Sequence, residues 1–437
     1  MNVEELKAII ASQHEDMEGL FKKERIIDRD LDRVRVKNFL AKPNVLAILG
    51  VRRCGKSIFS WLLLEGENFG YINFFDERLV GLKAEELNKV LQAFYELYSN
   101  DVEYFILDEI QKVNGWERFV SRLRTSNKIV ITGSNSDLLR GDLATFLTGR
   151  HIDAELLPFS FREYLRATGI TLDENWAYST SSIATIKKAL SEFMEKGGFP
   201  EVNKFGSIML NGIYRDIIEN DIIRHHKLRN PQSLRELAKY LISNTGKEIT
   251  FNKLKASLEI KDSHTIAKYS SYISDSYLIF LLERFSYKLK ERFKAPKKVY
   301  CIDSGLANNV AFKLSKDPGR LMENIVFIEL LRRKLYSNPN WELYYWKDYR
   351  GREIDFVIKT AESVKQLIQV TYASGKSEIE EREIASLAIA SAEMKCDNML
   401  VITWDYEGTM SMGDKTVAFV PLWKWLLKPS ETRTTNF

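Results

Sequence analysis

Residues 45–64 read VLAILGVRRCGKSIFSWLLL. The apolar run at 45–49 is too short for a buried helix and stops at Gly50, the pattern of a strand buried on both faces. The next eight residues, Gly50-Val51-Arg52-Arg53-Cys54-Gly55-Lys56-Ser57, fit G-x-x-x-x-G-K-[ST]. An apolar helix then begins at Ile58 and is closed by Gly66. A loop in this position can wrap a phosphate closely, because Gly50 and Gly55 have no Cβ to hold the backbone away. Its N–H groups, from Arg52, Arg53 and Cys54 to Ile58, meet the anion together with the positive end of the helix. Lys56 then reaches the β- and γ-phosphates, and the Ser57 hydroxyl ligates Mg²⁺. ATP and Mg²⁺ are the expected cofactors; no motif that would read the base separates ATP from GTP.

Further short apolar runs, at 71–75, 104–107, 128–132 and 152–157, alternate with helical stretches. That alternation predicts an α/β domain, a parallel sheet with helices on both faces. The run Tyr104-Phe105-Ile106-Leu107 ends in Asp108 and Glu109. An apolar strand delivering two acids some fifty residues after a phosphate loop places Asp108 to hold Mg²⁺ through water and Glu109 to orient and deprotonate the attacking water. The following strand runs into Ile131-Thr132-Gly133-Ser134-Asn135, where Ser134 or Asn135 can sense the γ-phosphate. Arg150, in Leu147-Thr148-Gly149-Arg150, is the candidate finger that completes a neighbour's site, with Arg140 and Arg52 as competitors.

Beyond Pro158 the pattern changes. Residues 160–245 read as mostly helical, punctuated by Gly197-Gly198-Phe199-Pro200. Residues 249–271 look like a helix-turn-helix followed by a wing, with His264, Thr265 and Lys268 on the recognition-helix candidate. Residues 284–298, RFSYKLKERFKAPKK, hold seven bases against one acid, with Phe285, Tyr287 and Phe293 interleaved. Strands return at Val299; a helix at 321–336, a hairpin of 341–346 with 352–358 around Gly351, and a strand at 367–371 follow. In the hairpin, alternation sets Glu353 and Asp355 on one face and Ile354, Phe356 and Ile358 on the other.

The chain has 437 residues, 45% of them hydrophobic and 28% charged, with a net charge of +4. At about 100–200 residues per domain, two or three are expected. The net charge alone is too small to identify a nucleic-acid binder. No apolar stretch reaches membrane-spanning length, the N-terminus is charged throughout, and the three cysteines are scattered, so a cytoplasmic protein without disulfides or a membrane partner is expected.

With these motifs in place, the chain resembles the archaeal and bacterial AAA-type ATPases that carry a C-terminal PD-(D/E)XK nuclease-like core. The stretches that carry the resemblance are GVRRCGKS at 50–57, YINFFDERL at 71–79, FILDEIQKVNGWE at 105–117, ITGSNSDLL at 131–139, LTGRHIDAELLPFSFREYL at 147–165, GGFPEV at 197–202 and KKVYCIDSGLAN at 297–308. It spans about residues 30–400. It implies an ASCE-type P-loop ATPase domain over 1–160, a helical lid over 161–232, a winged-helix module over 233–290 and a nuclease-like α/β domain over 291–437. It also implies a homo-oligomer in which Arg150 acts across an interface. An active nuclease of this kind holds a metal on carboxylates and carries a Glu-x-Lys strand. The matching positions here are Glu323, Asp355 and Gln369-Val370-Thr371, a degenerate second site in which neutral Gln369 is a weak Mg²⁺ ligand and Thr371 supplies no positive charge; Glu329 does not repair the gap.

The expected function is Mg²⁺-dependent ATP hydrolysis coupled to gripping or remodelling DNA, single-stranded or branched. The competing readings are a slow ATP/ADP switch that binds a protein, and an ATP-coupled metal nuclease.

Overall fold

The structure is a computed structural model that describes residues 1–134, 149–258, 260, 262–311 and 317–428. Asn135 and Arg140 lie outside the described residues. The chain divides into two compact units, residues 1–158 with 275–277, and residues 159–274 with 278–437.

The first unit is built on five parallel strands: β1 (Val45–Leu49), β2 (Phe69–Asn73), β3 (Tyr104–Asp108), β4 (Lys128–Gly133) and β5 (His151–Glu155). Their order is β2-β3-β4-β1-β5, so β4 stands between the phosphate-loop strand and the strand that delivers the two acids. This is the expected P-loop α/β sheet. All five residues of β1 are buried, as a strand covered on both faces requires. The helices Lys56–Leu63, Leu87–Tyr98 and Trp116–Leu123 supply the cover. Trp61 packs its ring on Phe69 and Tyr71 at 5.0 and 5.2 Å between centroids. Because the strands are parallel, the C-terminal ends of β1, β3 and β4 lie along one edge, where a ligand of such a sheet binds.

Two strands shift from their expected limits. β2 begins at Phe69 and ends at Asn73, because the chain turns at Phe75 and exposes that ring. β5 ends at Glu155, although Leu156 and Leu157 remain buried and the Leu156 N–H still donates to Leu49 O at 2.7 Å.

The second unit holds two sheets. In the first, β6 (Glu248–Ile249), β7 (Ile279–Leu282) and β8 (Lys297–Cys301) run antiparallel in the order β6-β8-β7. The helices Pro231–Ser243, Phe251–Ser257 and Ser263–Asp275 interleave with them in sequence, and the β7–β8 connection carries the short helix Leu289–Lys294. The expected boundary at 290 therefore cuts through one module, since β8 is the central strand of the small sheet.

The second sheet contains β9 (Glu342–Lys347), β10 (Glu353–Lys359), β11 (Val364–Thr371), β12 (Met399–Thr403), β13 (Gly408–Met412) and β14 (Lys415–Pro421), in the order β13-β14-β12-β11-β10-β9. Its core joins Trp346, Ile354, Val357, Leu367, Val401 and Phe419 to Leu387, Ala390 and Met394 of the helix Glu381–Met394.

The expected alternation along 353–358 holds for Glu353 and Asp355, which both meet Lys298, and breaks beyond them. The register of β10 on β9 jumps between Ile354 and Val357. A bulge inserts one extra residue and turns the chain over, so Ile354 and Val357 share the core. Phe356 instead packs against Tyr300 and Phe327 at 5.7 and 6.3 Å.

The stretches GGFP and IDSG, 105 residues apart in the chain, are joined at Asp303. Its carboxylate accepts the Gly198 N–H at 2.6 Å and caps the helix Ser304–Val310 through the Leu306 N–H at 2.8 Å. Their role here is structural: a buried acid satisfies backbone donors that would otherwise be orphaned.

Candidate functional site

The loop 50–55 leaves β1 at Gly50 with φ +149°, a conformation that side chains rarely adopt. A Cβ there would also lie 2.1 Å from Leu156 O, so glycine is required twice over. Gly55, at φ +98°, turns the chain into the helix Lys56–Leu63. The Lys56 ammonium is buried inside the loop, donating to Gly50 O at 3.1 Å and Val51 O at 3.2 Å. The helix N-terminus and this ammonium thus converge on one cradle, which fits the phosphates of a nucleotide. Gly55, Lys56 and Ser57 would hold the phosphates and their Mg²⁺, which neutralises charge on the transferring group when bound.

A residue far from the motif shapes the loop. Arg29 is buried and donates to Cys54 O at 2.9 Å and to Leu157 O. Drawing the Cys54 carbonyl to one side turns the Gly55 N–H of the same peptide plane to the other. Cys54 is buried with its thiol on Leu156 O at 3.3 Å, and burial pushes its pKa up, so it is a packing residue rather than a nucleophile.

The two acids of β3 have distinct settings. Asp108 is buried, and both of its oxygens are engaged: Tyr71 OH donates to Oδ2 at 2.9 Å, and Thr132 Oγ1 donates to Oδ1. Thr132 Oγ1 also accepts the Glu109 N–H at 3.0 Å. A hydroxyl that accepts from a backbone N–H must turn its only proton elsewhere, and here it turns it to Asp108 Oδ1. Burial, then the Asp108 charge, raise the pKa of the Tyr71 phenol well above its ordinary value, keeping it a donor. Glu109 sits at φ +53°, a strained position for a residue with a Cβ. It is half-buried, and its carboxylate accepts from Gln111 Nε2 at 2.6 Å. The strain re-aims its side chain away from the strand direction that Asp108 follows.

Comparisons with known proteins agree with this geometry. An AAA-domain family model matches residues 42–165, and two domains of unknown function, DUF8612 and DUF4143, match 187–317 and 318–425. The uncharacterized protein MJ1544 of Methanocaldococcus jannaschii is 36% identical over 427 residues, covering 93% of this chain and 92% of its own. An uncharacterized protein of Haemophilus influenzae is 32% identical over 339 residues, covering 73% and 80%. The chain belongs to one family with MJ1544, and its residues 42–165 are an AAA domain. Among solved structures, the Walker-type ATPase paby2304 of Pyrococcus abyssi is similar at 16% identity and a TM-score of 0.41, covering 65% of this chain and 98% of its own.

In this AAA-type chain, the structure brings together Gly50, Gly55, Lys56, Ser57, Asp108 and Glu109 on one sheet edge. Ser134 follows directly on β4 and is buried there. Arg150 is exposed, immediately before β5. Arg52 lies over the exposed Phe75 ring at 5.4 Å, and Arg53 takes a left-handed turn at φ +64°. Tyr71, Thr132, Gln111 and Arg29 were not singled out by sequence. Thr132 had a local signal, a hydroxyl closing an otherwise apolar strand. Arg29 had none, because its partners lie 25 and 128 residues away.

Replacing Thr132 by Val removes the hydroxyl that ties Asp108 to the Glu109 backbone and leaves both partners short of a hydrogen bond. At about 1–3 kcal/mol for an orphaned buried group, kcat is expected to fall by about 10–100-fold. The Mg²⁺ concentration for half-maximal rate should rise, while nucleotide affinity holds. Phosphate release over a Mg²⁺ titration measures this; an unchanged Mg²⁺ requirement would remove Thr132 from the site.

The second expected set behaves differently. Glu323 and Asp355 come together, but around the ammonium of Lys298. Gln369 is buried, and its Oε1 has no hydrogen-bond partner among the described residues. Burial, opposed by Lys298, pushes the Glu323 carboxyl up to about 7. Glu329 is paired with Arg332 and Arg333 at 3.3 and 3.0 Å, which makes it structural.

The basic segment 284–298 is partly spent in the same unit. Lys297 and Arg292 pair with Glu283 at 3.1 and 3.5 Å, Lys298 is buried, and Phe285 belongs to the core. Among the described residues, no helix is long and apolar enough to cross a membrane.

Proposed function

We propose that the chain is a Mg²⁺-dependent ATP hydrolase that grips single-stranded or branched DNA and couples that grip to its nucleotide state. The observation that carries the hydrolase reading is the Thr132 hydroxyl bound to both Asp108 and the Glu109 backbone. It holds a metal-side acid and a water-side acid at a fixed separation beside the phosphate loop, which is what positioning an attacking water needs. Glu109 is the base, Lys56 and Ser57 hold phosphate and metal, and Ser134 senses the γ-phosphate. Arg150 completes the site of a neighbouring copy in a homo-oligomer.

The DNA reading is supported by the module around β6, β7 and β8, whose helix and strand order suits a winged helix with residues 283–296 as the wing. Tyr287, Leu289 and Phe293 are 70%, 63% and 72% exposed there, beside exposed Lys288, Lys290 and Lys294. Aromatic faces next to lysines suit unpaired bases and their phosphates. His264 and Lys268 are exposed on the helix Ser263–Asp275.

Phosphate release from ATP and Mg²⁺, with and without single-stranded, duplex and forked DNA at two salt concentrations, tests both parts. Stimulation by single-stranded or forked DNA that fades at high salt is the expected result, and Tyr287→Ala with Phe293→Ala should abolish it without changing basal turnover. DNA-indifferent hydrolysis would replace the DNA reading with a protein-binding switch. Bound ATP without turnover under any condition would overturn the hydrolase reading.

A further inference from the structure

The resemblance to a PD-(D/E)XK core implies a divalent cation held by Glu323, Asp355 and the strand at 369–371. The side chains present do not fit one. Lys298 points its ammonium from β8 into the carboxylates, 2.9 Å from Glu323 Oε1, 2.6 Å from Glu353 Oε1 and 3.0 Å from Asp355 Oδ1, and is 2% exposed. Other donors meet the same three carboxylates. Tyr300 OH donates to Glu323 Oε1 at 2.6 Å, the Val370 N–H to Asp355 Oδ2 at 3.0 Å, and Lys347 Nζ pairs with Glu353 Oε2 at 2.9 Å. Among the described residues, no three His, Cys, Asp or Glu side chains are arranged to hold a metal ion.

We propose that Lys298 is a built-in cation that takes the place of a divalent metal, so that this carboxylate cluster is closed by the chain itself. A cluster of three carboxylates in low dielectric needs positive charge at its centre. Lys298 supplies it without an exchangeable ion, and therefore without a metal-bound hydroxide to attack a phosphodiester. It also ties the small sheet to β10 and to the helix Pro318–Tyr336, a fixed strut where an exchangeable ion would make the link conditional. The oxygen ligands themselves are intact, and Gln369 adds a buried, unpartnered Oε1 from the neighbouring strand. Three hard carboxylate oxygens with no ammonium among them are the setting that Mg²⁺ or Mn²⁺ binds.

The test is Mn²⁺ titration of the nucleotide-free full chain, read by electron paramagnetic resonance and by the shift in Tm. Wild type is expected to take up no Mn²⁺ at this cluster and to keep its Tm. Lys298→Ala should have a lowered Tm without metal, bind about one Mn²⁺ per chain and recover Tm as it does so. Adding Asp355→Asn to Lys298→Ala should abolish both effects. Lys298→Gln, which keeps a donor and most of the side-chain length, serves if the alanine variant does not fold. The proposal is overturned if wild type binds an Mn²⁺ that Asp355→Asn removes, or if a folded Lys298→Ala or Lys298→Gln binds none.

Discussion

Glu109→Gln is expected to hold ATP as the wild type does and to lose turnover by about 10²–10⁴-fold, the contribution of a positioned general base. The side chain keeps its size and its place, because the backbone at φ +53° and the N–H bond to Thr132 Oγ1 do not depend on the carboxylate. Only the capacity to accept a proton goes. Gln111, which donates to Glu109 Oε2 at 2.6 Å, finds an amide oxygen in its place. Neither Lys56 nor Ser57 is altered, so ground-state binding has no reason to weaken. Single-turnover phosphate release, with binding of a fluorescent ATP analogue measured in parallel, separates the two quantities. Normal turnover in this variant would take Glu109 out of the chemistry.

Lys56→Ala should show the complementary pattern, a loss of the nucleotide itself. The ammonium is buried against the carbonyls of Gly50 and Val51, so its charge is already desolvated at the centre of the cradle. Two charge-assisted hydrogen bonds to phosphates, at about 1.5–3 kcal/mol each, correspond to at least about 10²-fold in affinity. Thermal unfolding offers a readout free of catalysis. Wild type at a ligand concentration of about 100 times Kd gains about 2.7 kcal/mol, and the variant at the same ATP concentration should gain almost none. An equal ATP-dependent rise in Tm would overturn the assignment.

How much of this was legible beforehand follows the range of the interactions. The strand Val45–Leu49 was found at its observed limits, because a five-residue apolar run ended by glycine is a local signal. The roles expected of Lys56, Ser57 and Asp108 also rest on local spacing, since a phosphate loop and the acid of a following strand each act within a few residues. The alternation along 353–358 holds for Glu353 and Asp355 and breaks beyond them for a local reason of another kind. A bulge depends on the register with β9, which no run of side chains in β10 reveals. Phe285, interleaved with the bases in sequence like Tyr287 and Phe293, is core, because the chain beyond it turns Tyr287 and Phe293 outward while Phe285 meets Tyr344 and Tyr287 at 5.8 and 5.0 Å.

The cation at residue 298 shows the same division. In sequence, Lys298 is the last of seven bases in one basic segment. Pairing of β8 with β6 and β7 buries it among acids contributed by positions 323, 353 and 355. Local sequence was enough for the strand, glycine loop and helix at 45–64, the two acids and the alternating α/β plan, since these rest on backbone conformation and on hydrophobic period. The tertiary structure alone decided which polar groups meet: Arg29 on the Cys54 carbonyl, Thr132 between Asp108 and Glu109, and Lys298 within the carboxylates. The physical reason is that charge and hydrogen bonding act across a few ångströms of space, and only chain folding sets which distant residues share them.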